Sequence, residues 1–196
     1  MRRKQCEITD RKQIAKVLKS CTIGRMATLG DDGYPYITPV NFVWHKEAVY
    51  FHSSRVGEKM VNIGRDARVC FEVDVPLSYL DLGSNSEANP CRLHQLYHCV
   101  IIRGKASVVE DKEEKAELLN ALVRSHEPDA VFSPVTAKTP ALAACAVVKI
   151  SPENISAKSD LLQGKDAGMV AAMSEYLLHR GYEMDAETVA AIKGNL

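Results

Sequence analysis

The sequence has no net charge and no long hydrophobic segment. Its 25 Lys and Arg residues balance 25 Asp and Glu residues, so a nucleic-acid-binding protein that depends on neutralising phosphates is not expected. The longest uninterrupted apolar run, Ala141–Val148, is too short to cross a bilayer, and the polar start lacks the apolar stretch of a signal peptide. We therefore expect a protein with neither nucleic-acid nor membrane partners.

Three common active-site signatures are also absent. The sequence has no G-x-G-x-x-G, no G-x-x-x-x-G-K-[ST] and no G-x-S-x-G, so it gives no sign of a dinucleotide-binding fold, a P-loop or an α/β-hydrolase nucleophile. What is present is an ordinary globular composition, with 46% hydrophobic and 26% charged residues. At 196 residues the chain is long enough to bury a core without metal or disulfide support.

Six scattered cysteines predict reduced, mostly buried thiols in a cytoplasmic protein. They are Cys6, Cys21, Cys70, Cys91, Cys99 and Cys145. Two of them share the segment from Cys91 to Cys99 with His94 and His98, which raises the alternative of a metal site. Gln95 stands where a helical zinc-protease motif needs glutamate, and a strand-like pattern follows directly. We predict no metal site there.

Hydrophobic periodicity predicts a mainly β protein with flanking helices. Strands are predicted at 22–29, 34–44, 47–53, 68–75, 97–109 and 143–150, and helices at 10–20, 57–65 and 111–126. Six short strands joined mostly by hairpins indicate an α+β fold built on a six-stranded antiparallel barrel. Residues 1–158 are assigned to this barrel. Residues 159–196 are assigned to a C-terminal helical appendage, with one helix ending at Gly181 and a second capped by Asp185.

The segment Tyr50–Lys59 offers a site for an anion. A strand ends in the hydroxyls of Ser53 and Ser54 and enters a helix through Gly57. Such a junction supplies free backbone N–H groups, hydroxyl donors and the cationic Lys59, which together could hold a phosphate. The alternative is an ordinary serine-capped helix with solvated cationic side chains.

The segment Tyr34–Trp44 is a strand that contains Pro39. Proline cannot donate a ladder hydrogen bond, so its presence points to an edge or a bulge. Backbone groups freed there could contact a planar heterocycle. The alternative is an edge proline that prevents aggregation.

The order of motifs along the chain resembles the FMN-binding split-barrel superfamily, in the pyridoxamine 5′-phosphate oxidase-like branch that includes nitroimidazole-resistance reductases. The motifs are Gly24-Arg-Met-Ala-Thr28, Asp32-Gly-Tyr-Pro-Tyr36, Pro39-Val-Asn-Phe42, Tyr50-Phe-His-Ser53, Lys59, Asn62-Ile63 and Val69-Cys-Phe-Glu72. The similarity extends over about residues 10 to 158. It implies a six-stranded split barrel that forms a homodimer with two FMN molecules at the subunit interface.

The resemblance also implies roles for individual residues. Lys59 and Ser53 would hold the FMN phosphate, and His52 would lie beside the ring as a proton donor or substrate contact, unless it merely packs at the strand end. The backbone of Pro39, Val40, Asn41 and Phe42 would face the isoalloxazine. Arg25 on the first strand is a further candidate.

The implied function is an FMN-dependent oxidoreductase that passes electrons from NADH or NADPH to a small organic acceptor such as a nitroaromatic. The family's oxidases end in an arginine- and histidine-bearing segment that binds substrate phosphate, whereas this chain continues as Lys158-Ser-Asp-Leu-Leu-Gln-Gly164 into helices. The substrate is therefore not carried over. Two alternatives are a haem-binding split barrel, with His94 or His98 as axial ligand, and a flavin-binding module without turnover.

Overall fold

The computed structural model describes residues 2–85 and 87–194, so the first residue of the predicted barrel and the last two of the predicted extension lie outside it. The described residues form seven strands and five α-helices. The strands are β1 Glu7–Ile8, β2 Ile23–Leu29, β3 Pro35–His45, β4 Ala48–Ser54, β5 Arg68–Leu80, β6 His94–Val108 and β7 Cys145–Asp160. The helices are α1 Arg11–Ser20, α2 Glu58–Arg65, α3 Lys112–His126, α4 Ala167–Arg180 and α5 Asp185–Ile192.

The strands form one antiparallel sheet in the order β1-β7-β4-β3-β2-β5-β6, and β6 also pairs with β7. The extra pairing closes six strands into a ring, while the two-residue β1 is attached to β7 through Glu7 opposite Lys158. This architecture confirms the predicted six-stranded antiparallel barrel and the α+β class. Among the helices that the structure describes, none is long and apolar enough to span a membrane.

The chain forms two compact units. The first unit comprises Met1–Val17, Asp74–Val100 and Ser156–Leu196, and the second comprises Leu18–Val73 and Ile101–Ile155. Strands β5, β6 and β7 each contribute residues to both units. The division at residue 158 stays a prediction, and β7 runs through that position.

In the second unit, α3 packs on β3, β4 and β7. The cluster is formed by Val43, Ala48, Tyr50, Val109, Leu118, Leu122 and Val147. The side chain of Asp111 accepts a hydrogen bond from the Glu114 N–H at 2.8 Å, which confirms the predicted start of this helix. Between β3 and β4 the chain turns at Lys46 and Glu47, both with positive φ. The Lys46 ammonium contacts Glu117 of α3 at 2.7 Å and secures that turn.

In the first unit, the C-terminal helices share a core with β5 and β6. Its buried members are Leu77, Leu80, Leu96, Leu161, Leu162, Leu177, Val189 and Ala191. Arg180 lies beside this core and donates to Asp185 at 2.6 Å and to Asp81 at 2.9 Å. The Ser78 hydroxyl donates to the other side of the network, to Asp185 at 2.6 Å. Residues 161–192 are thus packed into the first unit rather than laid on its surface.

Three strands are longer than the sequence pattern predicts. Strand β5 continues to Leu80, β6 begins at His94, and β7 continues to Asp160. Pro76 and Pro152 lie inside these extensions. The strands continue because neighbouring strands supply backbone partners, as when Ala157 pairs with Ile8, and a local pattern does not contain that information.

Two smaller expectations are wrong. Asp185 does not cap α5 from outside; it is the first residue of the helix and its carboxylate is occupied by Arg180, Ser78 and the Tyr182 N–H. None of the six cysteines, all of which lie in the described residues, forms a disulfide, but only Cys6 is buried and Cys91 is exposed. Several of the thiols lie on strands that have one face towards solvent. The apolar runs around these cysteines do not show which face each side chain occupies.

We expect Asp185→Asn to lower the free energy of unfolding by about 1–3 kcal/mol, because it removes a hydrogen-bonded charge from a buried pair. Arg180 lowers the pKa of Asp185 from 3.8 to about 2. Asp185 therefore resists protonation in the native state. The stabilisation that its carboxylate gives is present above pH 3.8 and is lost as the pH falls towards about 2. Urea unfolding across an acid series measures both effects. Glu187→Gln, an exposed change in the same helical turn, is the control, and equal effects of the two variants would contradict the assignment.

Candidate functional site

The predicted site residues all lie in the second unit, on β2, β3, β4 and α2. On the outer face of the sheet, Arg25 of β2 lies directly opposite Pro39 of β3. The Arg25 guanidinium is half-exposed and donates to Glu72 of β5 at 3.3 Å. An exposed pair of this kind is weak, so it leaves the side chain able to contact a ligand on this face.

The segment Pro39–Phe42 alternates between the two faces of β3. Pro39 and Asn41 are exposed, whereas Val40 and Phe42 are buried core residues. A ligand on the outer face would meet the backbone of this segment and its outward residues, not the side chains of Val40 and Phe42. Contact between this backbone and an isoalloxazine ring stays a prediction.

The sheet opens between β3 and β4. Their pairing runs from His45 opposite Ala48 to Phe42 opposite Phe51, and among the described residues it does not continue to Asn41. Beyond that point β3 pairs with β2, and β4 pairs with β7. On the side that faces this opening, residues 39–41 of β3 have no strand partner among the described residues, so the predicted edge at Pro39 lies here.

The end of β4 carries His52 and Ser53 on opposite faces. The His52 side chain is exposed on the outer face, and no partner contacts it within residues 2–85 or 87–194. The Ser53 side chain points inward, and its buried Oγ has no hydrogen-bond partner in the described part of the chain. A buried hydroxyl without a hydrogen-bond partner is rare in folded proteins, so Ser53 is a candidate ligand contact.

The start of α2 presents cationic and N–H groups. Gly57 precedes the helix with a φ of 114°, and no side chain caps this end. The N–H groups of Met60 and Val61 donate to the Gly57 carbonyl, which leaves those of Glu58 and Lys59 for another acceptor. The half-buried Lys59 ammonium has no ion-pair partner among the residues described. Helix dipole, free N–H groups and this ammonium together favour a bound anion.

A buried hydrogen bond fixes α2 against β2. The Asn62 amide donates to the Thr28 hydroxyl at 3.0 Å, and Arg65 donates to the Leu29 carbonyl. Asn62 therefore positions the helix that carries Lys59. Asn62 is one of the motif residues on which the family resemblance was based. Its role in positioning α2 follows only from its hydrogen bond to Thr28. A buried amide on a short helix is the signal that could have indicated it.

The histidine- and cysteine-rich segment is a strand start, not a helix. On β6, His94 and His98 are four residues apart on one face, a spacing of roughly 13 Å that prevents them from sharing an ion. His94 Nε2 lies 3.2 Å from Asp160. Burial lowers the pKa of His98, and its Nδ1 has no partner in the described residues. In those same residues no group of three His, Cys, Asp or Glu side chains is placed to hold a metal.

A sequence model of pyridoxamine 5′-phosphate oxidase matches residues 10–159. The chain belongs to the pyridoxamine 5′-phosphate oxidase family. No curated protein matches the sequence. The family match includes every predicted site residue, and the motif-based resemblance is thereby confirmed at the level of the family and its split-barrel fold.

Solved structures share this fold. A candidate 5-nitroimidazole antibiotic resistance protein from Bacteroides thetaiotaomicron has a TM-score of 0.65 and 22% identity, over 78% of this chain and 85% of that one. The flavocytochrome Anf3 from Azotobacter vinelandii has a TM-score of 0.68 and 22% identity, over 87% and 77%. An FAD and heme binding protein from Mycobacterium smegmatis has a TM-score of 0.68 and 19% identity, over 85% and 78%. At these identities the similarity is one of fold.

We expect Gly57→Ala to destabilise the protein by about 1–3 kcal/mol, because its φ of 114° is open to glycine and strained for other residues. A Cβ there would meet nothing within 4 Å, so the cost is one of backbone conformation. Gly64→Ala in the same helix meets open space at an ordinary φ and should stabilise by about 0.5–1 kcal/mol. Chemical denaturation compares the two variants. If the free energy of unfolding changed in the same direction in both variants, the argument that residue 57 has a conformation restricted to glycine would be wrong.

Proposed function

We propose that the protein binds FMN at the opening between β3 and β4 and acts as an FMN-dependent oxidoreductase. The observation that carries this proposal is the uncapped start of α2, where Lys59 and free N–H groups face no protein acceptor. A dianionic phosphate is the ligand that such a junction recognises best. The solved structures of similar fold are named for flavin and haem binding and for nitroimidazole resistance, which supports a redox role.

Each predicted residue has a place in this proposal. Lys59 and the first N–H groups of α2 hold the phosphate, and the Ser53 hydroxyl supplies a further donor. The backbone of Pro39–Phe42, with Val40 and Phe42 anchored in the core, supports the ring system, and Arg25 lies on the same outer face. The Ser53 hydroxyl and the Lys59 ammonium fit the cofactor phosphate because neither has a hydrogen-bond or ion-pair partner in the described residues.

FMN would supply the redox chemistry, accepting a hydride from NADH or NADPH and donating electrons to a small organic acceptor such as a nitroaromatic. The protein's own part is to bind, orient and protonate. His52 is exposed and has no hydrogen-bond or ion-pair partner in the described chain, and an imidazole nitrogen can donate or accept a proton. It therefore serves as the proton donor or substrate contact beside the ring.

A homodimer would complete the site. The outer faces of β2 and β3 expose Ile23, Leu29 and Ile37, an apolar patch of the kind that marks an interface. A second copy placed on this face would cover the patch and enclose a ligand at the opening. Six cysteines in the described residues, none of them in a disulfide, support a cytoplasmic location for this dimer.

Haem is the second candidate cofactor, with His94 or His98 as axial ligand. The specific observation in its favour is the buried His98 ring, whose Nδ1 has no partner in the described residues. A flavin-binding module without turnover is the remaining alternative. Absorption of the purified protein distinguishes flavin from haem, and oxidation of NADH or NADPH with an added acceptor distinguishes an enzyme from a carrier.

We expect Lys59→Glu to weaken FMN binding by at least about one to two decades, because it replaces a charge-assisted contact with repulsion. Riboflavin lacks the phosphate and should lose much less affinity. Titrations followed by quenching of flavin fluorescence measure both ligands.

The matched control is Lys19→Glu, the same charge reversal at an exposed position of the second unit. Equal weakening of FMN and riboflavin by Lys59→Glu would mean that the residue acts through folding. Unchanged FMN affinity in a folded variant would reject the phosphate site.

We expect the wild type to be a dimer and Ile37→Asp to dissociate it and release the cofactor, because a charge is placed in the apolar patch. Val131→Asp introduces the same charge at a fully exposed loop position and should leave the dimer intact. Size-exclusion chromatography with light scattering measures the mass. A flavin-saturated wild-type monomer would overturn the dimer proposal.

A further inference from the structure

The first unit contains a cavity that the proposed flavin site does not use. Its volume is about 620 Å³, within the range of small-molecule sites. Every residue that lines it belongs to the first unit, whereas the residues proposed to hold FMN belong to the second. Its walls come from the starts of β6 and α4 and from the segment that follows β7.

Part of the cavity lining is apolar. It includes Leu80, Leu93, Leu162, Met169, Ala172 and Met173. Leu80 and Leu162 belong to the buried core of the first unit, so this wall is fixed from behind. The two methionines come from α4, and Met169 is 44% exposed. Flexible thioether side chains adapt to apolar ligands of varied shape, so this wall suits the hydrocarbon or aromatic body of a ligand.

The polar part of the lining contains a carboxylate that already has three polar partners. Asp160 is almost completely buried. Its Oδ2 accepts from Arg3 at 2.9 Å and from Lys158 at 2.7 Å, and its Oδ1 contacts His94 Nε2 at 3.2 Å. Burial alone would raise the pKa of Asp160, but hydrogen bonds from Lys158 and His94 hold it below its ordinary value. An ammonium ligand would therefore find no free anion here.

The remaining charges are positive. Arg3, Arg92 and Lys165 line the cavity against the single carboxylate of Asp160, so cations outnumber anions even with His94 neutral. Arg92 also contacts the exposed Glu87 at 3.2 Å, a solvated pair that gives way at little cost. The Lys165 ammonium has no ion-pair partner in residues 2–85 and 87–194. Two cationic side chains thus remain available to an acidic head group.

We propose that this cavity binds a small amphipathic anion, with its apolar body against Met169 and Met173 and its carboxylate or phosphate head at Lys165 and Arg92. The apolar wall excludes simple inorganic anions as preferred ligands, because they would leave that surface wet. The saturated Asp160 excludes amines. This site requires no part of the flavin proposal, since the two sites share no residue.

The experiment uses the full chain and four ten-carbon probes that differ only in their head groups: decanoate, decyl phosphate, decanol and decylamine. Isothermal titration should show one site per chain for decanoate or decyl phosphate. Decanol should bind at least about tenfold more weakly, the value of one charge-assisted contact, and decylamine should not bind. The ratio of decanoate to decyl phosphate affinity assigns the head group. Equal binding of decylamine, or preferred binding of inorganic phosphate alone, would overturn the proposal.

Two variants locate the site. Lys165→Glu combined with Arg92→Glu should reduce decanoate affinity about tenfold or more and leave decanol unchanged. Ala172→Trp fills the cavity from an exposed position of α4 and should abolish binding of both probes. Lys16→Glu, at an exposed position of α1 in the first unit, is the charge control, and circular dichroism confirms folding. Undiminished decanoate binding by folded Ala172→Trp protein would reject this cavity as the site.

Discussion

Closure of six strands into a ring, completed where β6 pairs with β7, is the constraint on which the other features depend. A closed sheet satisfies backbone groups on both sides of each strand and leaves no long edge. The interior of so small a ring is filled by side chains. Phe42, Phe51 and Phe71 are completely buried, and the rings of Phe42 and Phe71 meet edge to face at 4.9 Å. Gly24 lacks a side chain where a Cβ would collide with the Phe71 ring. These side chains fill the part of the interior that they line.

The candidate site lies where pairing within the ring lapses. Beyond Phe42 and Phe51 the strands β3 and β4 bond to other neighbours, and helix α2 begins just after β4 ends. This part of the chain therefore brings together strand edges that have no facing strand, the buried Ser53 hydroxyl without a hydrogen-bond partner, and the Lys59 ammonium. The bond from Asn62 to Thr28 keeps these groups in a fixed relation without a ligand. Such preorganisation reduces the entropic cost of binding.

The first unit is built differently, around two buried carboxylates. Asp185 is bound by Arg180 and Ser78, and Asp160 by Arg3, Lys158 and His94. Buried ion pairs add little net stability but are costly to break, so they fix one arrangement of the C-terminal helices. The cavity beside the Asp160 cluster is also lined by Arg92 and Lys165, which lie outside that cluster and supply the positive charge available to a ligand. The helical extension, which sequence patterns present as an appendage, therefore creates both a core and a binding surface.

The sequence by itself determined the element types, the order of the strands along the chain and the family, and it predicted the segment Tyr50–Lys59 as a place for an anion. These features are local: β-branched alternation, the cap at Asp111 and the hydroxyl-glycine-lysine junction are each contained in a few neighbouring residues. Only the tertiary structure decided the lengths of β5 and β7, the split between β3 and β4, the orphaned hydroxyl of Ser53 and the occupation of Asp160 and Asp185. Those features depend on partners far away in sequence, such as Ser78 and Asp185 at a separation of 107 residues. Hydrogen bonds and burial at such separations are set by how the chain closes on itself, and no local periodicity encodes that closure.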